Sequence, residues 1–234
     1  MKITIHIRQF VIASAVLIVF FFLASVLVNY EHIVEHHGFL LGLVPKFDLN
    51  GEQNLPTWYQ VVTLLLAGVL AGFIAADKRR QRQTFAKRWT VLSAIFTFMS
   101  IDEFASIHEL LGDEVLAPKL HTEGKIYNPW LLLAVPLLVV FAAAYLRFFF
   151  ALSTAEKKRF FLAAFVYLMG VVVIESIGGA YSYHHGQQNM VSVVLNGIEE
   201  VFEMIGVLLL NVALLRYIAE HLRDSSVSLQ VADD

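Results

Sequence analysis

Long apolar runs alternate with short polar segments along the chain. Six of the runs are long enough to cross about 30 Å of hydrocarbon as α-helices, which takes roughly 20 residues at a rise of 1.5 Å per residue. They lie near residues 10–30, 58–76, 89–111, 129–151, 160–181 and 190–216. The pattern predicts a single all-α domain over residues 1–234, an integral membrane bundle of six transmembrane helices.

Two of these runs carry recognisable start signals. The first follows Lys2 and Arg8 as a signal peptide would, but its apolar stretch is longer than usual and no small-residue cleavage site follows it, so we interpret it as an uncleaved span. Asn128 and Pro129 precede the fourth run. They predict a helix that begins with a capping side chain and a proline at its first position.

The composition agrees with a membrane protein and restricts its chemistry. Hydrophobic residues make up 58% of the chain, charged residues 16%, and the mean hydropathy is +0.66, which excludes an ordinary water-soluble domain. A net charge of -3 gives no sign of nucleic-acid binding. The absence of cysteine excludes disulfides, iron–sulfur clusters and thiolate zinc sites. Any metal must therefore bind through His, Asp, Glu or backbone oxygen.

The basic residues predict the orientation of the helices. If both termini are cytoplasmic, 14 of the 17 Lys and Arg residues lie on the cytoplasmic side, and only Lys46, Lys119 and Lys125 lie on the other. Cytoplasmic loops of membrane proteins retain positive charge in this way. We therefore expect a multipass protein of the bacterial inner membrane with both termini inside.

The acidic residues show the opposite distribution. In the same topology 14 of the 20 Asp and Glu residues lie in outer loops or in the outer halves of spans, an excess of 11 negative charges over the three lysines there. Seven of the nine histidines lie on this side as well. An outer surface this rich in carboxylate and imidazole is expected to concentrate cations.

Several of these acidic residues are predicted to lie inside the membrane. At 1.5 Å per residue from the nearest basic residue of each span, carboxylates of the third, fifth and sixth spans all lie roughly 20–26 Å from the cytoplasmic end. The predicted layer comprises Asp102, Glu103, Glu175, Glu199, Glu200 and Glu203, with His108 and Glu109 just above it. In a continuous third helix, Asp102, Ser106 and Glu109 share one face and His108 lies well round the other side.

Such a layer requires neutralisation. An ionised acidic residue at a helix centre costs about 2.5–3.5 kcal/mol, and no Lys or Arg lies at this depth. Protons, a metal cation or hydrogen bonds must compensate the charges. We favour metal binding by three or four of the carboxylates, and a proton or cation pathway or purely structural carboxyl hydrogen bonding stay open as alternatives.

The ligand types favour a particular divalent metal. Oxygen ligands with imidazole suit iron or manganese, whereas zinc in a hydrolase would need a shell richer in histidine. Bundles that hold two irons use Glu-x-x-His pairs, and Glu103 and His108 depart from that spacing because they are five positions apart. His108, His184 and His185 are the candidate nitrogen ligands.

Two polar segments lie outside the predicted layer. Residues 32–36 read H-x-x-E-H, an inverted zinc-protease pattern, in which His32 and His36 are expected to share a helical face as secondary ligands. An interfacial segment is the favoured explanation of these residues. The loop from Phe47 to Trp58 alternates acidic and amide residues without a complete calcium-binding pattern. We expect it to form a structured turn before the second span.

The segments Phe47–Trp58 and Ser100–Glu109 together resemble an uncharacterised family of bacterial multipass membrane proteins. The resemblance implies a multipass membrane fold and carries no activity with it.

These observations predict a membrane metalloenzyme, either an oxidoreductase with two metals or a hydrolase, that acts on a lipid or another hydrophobic substrate from the outer side. A proton or cation transporter is the first alternative, although the inner halves of the spans hold almost no polar residues. An accessory subunit of a larger membrane complex is the second. The expected partners are the lipid bilayer and the substrate, with no nucleic acid, and a homo-oligomer stays open.

Overall fold

Six long helices follow the six predicted spans. The computed structural model describes residues 5–38, 40–120 and 128–222. The long helices are α1 (Ile7–Ile33), α2 (Leu55–Arg80), α3 (Ala86–Ala105), α4 (Leu131–Ala151), α5 (Thr154–His185) and α6 (Met190–His221). The all-α prediction is confirmed. Five of these helices are long and apolar enough to cross a membrane, and α3 makes a sixth if the bent helix that follows it belongs to the same span.

The six ends that carry the basic residues meet on one side of the bundle, which we call the basic end. Trp89, at the start of α3, is buried there against Tyr217 of α6 and Phe148 of α4, with ring centroids 4.9 Å and 5.2 Å apart. Ile7 of α1 packs against the same cluster. The opposite side, which carries Glu52, Glu109 and Glu175, is the acidic end. The cytoplasmic location of the basic end, and of both termini, stays a prediction.

Helix α6 is the centre of the bundle, packing against α1, α2 and α5. Close approach between helices depends on small residues. A Cβ on Gly206 of α6 would lie 2.6 Å from the Cβ of Tyr167 in α5. Helices α2 and α3 also pack tightly. The Ser93 hydroxyl of α3 donates a hydrogen bond of 2.7 Å to the backbone carbonyl oxygen of Gly68 in α2. The small residues of α2 thus pack within this chain.

Helix α4 stands apart from the others. Only 11% of its apolar stretch is buried within the protein, and it has few close backbone neighbours. It is attached near its two ends, by Phe148 at the basic end and by Trp130, which precedes it, at the acidic end. Between these attachments Pro136 lies inside the helix and removes one backbone hydrogen bond. A cavity separates the middle of α4 from the bundle.

The third span is not the continuous helix predicted over 89–111. Helix α3 ends at Ala105 because Ser106 adopts a left-handed conformation, with φ of 49°. The chain then continues through the short helix Ile107–Leu110, the π-helical turn Leu111–Leu116 and Ala117–Leu120, and this second part is bent by 71° from α3. The predicted face shared by Asp102, Ser106 and Glu109 is therefore wrong.

The loop before α2 is the structured turn that was expected. The side-chain amide of Asn54 donates to the carbonyl oxygens of Asp48 and Gly51, both at 2.6 Å, and its oxygen caps α2 by accepting from the Thr57 backbone. The Asn29 amide in α1 donates to the Asp48 carboxylate at 3.0 Å. These bonds hold the loop over the acidic end of the bundle.

Candidate functional site

A cavity of about 940 Å³ lies between α3, α4, α5 and α6. Its part at the acidic end, which we call the acidic chamber, is lined by eight carboxylates and one imidazole. These groups belong to Glu52, Asp102, Glu103, Glu109, Glu175, Glu199, Glu200, Glu203 and His108. Eight of the ten primary ligand candidates therefore line one cavity. The sequence alone predicts only their depth, with six at one level and His108 and Glu109 just above it.

The break after α3 brings His108 to Asp102. One carboxylate oxygen of Asp102 accepts a 2.9 Å hydrogen bond from the His108 backbone, and the other lies 3.0 Å from the Nδ1 atom of the His108 ring. A continuous helix would have turned the two side chains apart. Because Asp102 holds Nδ1, the Nε2 atom of His108 is the nitrogen left for a ligand.

Glu175 is positioned by the segment that precedes α4. The indole nitrogen of Trp130 donates to its carboxylate at 2.7 Å, and the Asn128 amide donates to its backbone carbonyl at 3.2 Å. The prediction that Asn128 caps the fourth span is wrong, because its side chain is used in this contact and α4 begins at Leu131. These bonds fix Glu175 at the wall of the chamber.

Glu175 also follows an irregular stretch of α5. Met169–Ile174 forms a π-helical turn, a feature that is frequent at functional sites. At this turn Gly170 lies so close to α6 that a Cβ there would be 3.0 Å from the Glu199 carbonyl oxygen and 3.2 Å from Cγ of Glu203. The glycine therefore allows the acidic segments of α5 and α6 to lie side by side.

Glu203 is bound by an amide from a third helix. Gln60 of α2 is 1% exposed, and its Nε2 atom donates to the Glu203 carboxylate at 3.0 Å. The other polar atom of this side chain, Oε1, is buried and has no hydrogen-bond donor among the described residues. A buried acceptor without a donor is costly, so a cation or a proton donor at this position would be stabilised.

No Lys or Arg side chain among the described residues offsets the charge of the chamber. None of the described residues that line the cavity is Lys or Arg, and the ion pair between these described wall residues is the one between His108 and Asp102. Glu203 lies close enough to Glu103, Glu199 and Glu175 for mutual repulsion. The chamber thus collects negative charge, and protons or cations are needed to balance it.

The loop before α2 covers the chamber from outside. The Asn196 amide of α6 donates to the side-chain oxygen of Asn50, and Glu52 from the same loop reaches the chamber wall. Desolvation at the mouth of the chamber raises the pKa of Glu52, and the neighbouring Glu109 raises it further, although the side chain stays partly open to solvent. The loop therefore adds one more unbalanced carboxylate.

The raised pKa of Glu52 predicts a pH-dependent gain in stability on its removal. Near neutral pH the folded state of the metal-free protein carries an unfavourable charge that Glu52→Gln eliminates, so the variant should have the higher Tm. Below about pH 4 the carboxyl is protonated in both folded and unfolded states, and the gain should vanish. Thermal unfolding of both proteins at the two pH values tests this. A gain of equal size at both would contradict the electrostatic origin.

Within the described part of the chain, no three side chains of the chamber bring their ligand atoms within 4.8 Å of one another. Among the described residues, one group of three brings its ligand atoms within 4.8 Å of one another, and it lies at the basic end. It consists of Glu156, Glu220 and His221. There Glu156 also accepts a 2.6 Å hydrogen bond from the Ser153 backbone, and Glu220 is paired with Arg159 at 2.8 Å. Both of its carboxylates are therefore already engaged.

The remaining histidine candidates lie away from the chamber. His184 and His185, at the end of α5, are exposed and are not among the described residues of the cavity wall. His32 and His36 do not share a helical face as expected, since α1 ends at Ile33 and His36 has a φ of 55°. The His32 ring instead lies 3.0 Å from the His37 carbonyl oxygen.

Sequence reasoning missed three contacts with the acidic residues: Gln60 and Trp130 donate to the carboxylates of Glu203 and Glu175, and Asn128 donates to the Glu175 backbone. Gln60 could have been found, because an amide near the start of an apolar span is itself unusual. Gln60 is uncharged, so the distribution of charged residues does not reveal it. The roles of Asn128 and Trp130 depend on how α4 and α5 are arranged in space, which no spacing in the sequence encodes.

A family model described as a domain of unknown function, DUF8692, matches residues 10–218, which include nearly all of the six long helices. No curated protein and no solved structure matches the chain.

Proposed function

Since the chain belongs to the DUF8692 family, whose description names no activity, we propose its function from the site itself. We propose that it is an integral-membrane metalloenzyme that binds a divalent metal in the acidic chamber and acts on a lipid or another hydrophobic substrate. The observation that carries the proposal is the convergence of carboxylates from three helices on one cavity without a Lys or Arg, beside a buried Gln60 oxygen that lacks a donor.

The energetics favour a cation in the chamber. Each ionised carboxylate at this depth costs about 2.5–3.5 kcal/mol if nothing compensates it. A divalent ion offsets several of them at once, whereas each proton neutralises one. The ion would also supply the partner that Gln60 Oε1 lacks. Glu103, Glu200 and Glu203 are the ligands we favour, because they line the chamber and repel one another, and Glu203 accepts the hydrogen bond from Gln60.

The surrounding residues would orient the ligands. In metal sites, hydrogen bonds from a second layer of residues fix the first ligands, and their loss typically costs 10–100-fold in metal affinity. Asp102 does this for His108, and Trp130 does it for Glu175. Carboxylates with one imidazole suit iron or manganese, which would supply oxidation–reduction chemistry, while zinc would instead support hydrolysis.

Metal content of the purified protein tests the proposal. We expect gently extracted wild-type protein to contain iron or manganese in stoichiometric amount. The variant Glu103→Gln/Glu203→Gln should lose it while staying folded, because glutamine keeps the shape of glutamate and removes its charge. Elemental analysis by mass spectrometry, with size-exclusion chromatography to check folding, gives both results.

A matched control separates specific loss from a general charge effect. Glu35→Gln/Glu114→Gln removes the same two charges from exposed positions outside the chamber, so it should retain the metal. The proposal is overturned if wild-type protein contains no metal and takes up neither Fe²⁺, Mn²⁺ nor Zn²⁺. It is also overturned if both double variants retain the wild-type amount.

A further inference from the structure

From the acidic chamber the cavity continues towards the basic end as an apolar passage, which we call the shaft. Its wall consists mainly of aromatic and aliphatic side chains from α3, α4 and α5, including Phe96, Phe141, Phe148, Phe160 and Leu168. It ends at Trp89, which is 1% exposed and closes the basic end of the bundle. None of the described residues that line the shaft between the acidic chamber and Trp89 is charged.

The shaft has the length of a lipid chain. Trp89 and Asp102 are 13 positions apart on α3, which corresponds to about 20 Å at 1.5 Å per residue. One leaflet of a bilayer supplies about half of the 30 Å hydrocarbon thickness, or roughly 15 Å. The shaft is therefore somewhat longer than one leaflet, and an extended hydrocarbon chain longer than one leaflet would fill it from the acidic chamber to Trp89.

The lining of the shaft indicates what it binds. An ion or a proton relay would need polar groups along the path, whereas this path is apolar over most of its length. Each buried methylene group, by contrast, gains about 0.8 kcal/mol on leaving water. Helix α4 forms one side of the shaft and packs against the bundle mainly near its two ends, so the passage adjoins the lipid phase.

The charges of the chamber restrict the polar end of such a ligand. An anionic head group would meet eight carboxylates and no Lys or Arg among the described residues of the wall. A hydroxyl or carbonyl head can accept from a protonated carboxyl or bind a metal through its oxygen without adding charge. A cationic head would have to compete with the proposed metal and with the protons that balance the carboxylates, so the chamber favours an uncharged oxygen-bearing head.

We infer that the cavity binds a lipid with one hydrocarbon chain, which lies in the shaft, and with an uncharged hydroxyl or carbonyl head in the acidic chamber. The inference rests on the proposed function for the role of the chamber and names the class of substrate that this site takes. The chain end would lie at Trp89 and the head beside Glu203 and His108.

Fluorescence quenching by brominated alcohols tests the inference. In a Trp58→Phe/Trp130→Phe variant, Trp89 is the one remaining tryptophan. This variant loses the donor to Glu175 but keeps Glu203 and His108, beside which the head is expected to lie. Hexadecanol brominated at its methyl end should quench Trp89 in metal-free protein in nanodiscs, with saturation at a stoichiometric amount. Hexadecanol brominated beside the hydroxyl should quench it far less. Saturation separates binding in the shaft from bromine in the surrounding bilayer, because quenching by bilayer bromine rises with its concentration without saturating.

A blocking variant supplies the control. Ala164 lies on the shaft wall, and Ala164→Phe should weaken the apparent affinity for the alcohol at least about tenfold, as expected for loss of several buried methylene contacts. Ala143→Phe makes the same change on an exposed face of α4 outside the cavity and should leave the affinity unchanged. Equal quenching in all three proteins, without saturation, would overturn the inference.

Further outcomes identify other occupants. Tighter binding of palmitate or hexadecylammonium than of hexadecanol would overturn the assignment of an uncharged head. If a second copy of the chain fills the shaft instead, neither alcohol quenches Trp89, and Ala164→Phe lowers the dimer fraction in native mass spectrometry.

The test separates this inference from the proposed function. Saturable quenching in a protein that never binds metal would support the shaft and overturn the metalloenzyme. Bound metal without saturable quenching would overturn the shaft and leave the metalloenzyme standing.

Discussion

Replacing Gly206 by alanine is expected to destabilise the bundle by about 3 kcal/mol, at the upper end of what overpacking of a core costs. The added Cβ would lie 2.6 Å from the Cβ of Tyr167 and 2.7 Å from its Cα and backbone nitrogen. Backbone atoms cannot rotate away as the end of a side chain can, so α5 and α6 would have to separate. That separation would move Glu175 away from Glu203 as well.

Reversible unfolding in bicelles measures this loss. Gly72→Ala is the matched control on α2, because its Cβ would meet the Ser93 hydroxyl at 3.1 Å, and that side chain can shift at the cost of its hydrogen bond to Gly68. We expect Gly72→Ala to cost no more than about 1 kcal/mol. Equal losses in the two variants would contradict the tight packing of α5 against α6.

Replacing Gln60 by leucine is expected to weaken metal binding about 10–100-fold, the usual effect of removing a hydrogen bond that orients a ligand. Leucine has a similar size, so the packing of α2 against α6 should survive. The change removes the donor to the Glu203 carboxylate and the buried Oε1 atom, which is the oxygen we expect to face the ion.

Competition of Fe²⁺ or Mn²⁺ against a fluorescent chelator gives the affinity of each protein. Thr63→Val is the control, since Thr63 lies one turn further along α2, is also buried and donates to the Gln60 backbone without lining the chamber. It should leave the affinity within about twofold of wild type, which is about 0.4 kcal/mol. Wild-type affinity in Gln60→Leu would show that Gln60 does not orient a metal ligand.

The existence of the helices could be predicted because their signal is strong. Each long helix carries an apolar run of membrane length, and the depth of an acidic residue follows from a constant rise per residue. The sequence therefore predicts Glu175 and Glu203 at one level, and both line the chamber.

The contacts between these side chains could not be predicted, because they depend on irregular backbone. Ser106 ends α3 through a left-handed conformation that a serine seldom adopts, and this one residue reverses the expected relation of Asp102 and His108. The π-helical turn before Glu175 also changes the helical face on which the following residues of α5 lie. A prediction that assumes a regular helical period therefore fails at both positions.

The location of the bound metal is the most direct test of the metal site proposed here. Anomalous difference density at the iron or manganese edge, from protein crystallised with the corresponding ion, should show its main peak within the acidic chamber, close to Glu203 and Gln60. A main peak at Glu156 and His221 at the basic end, or no peak at all, would contradict the proposal.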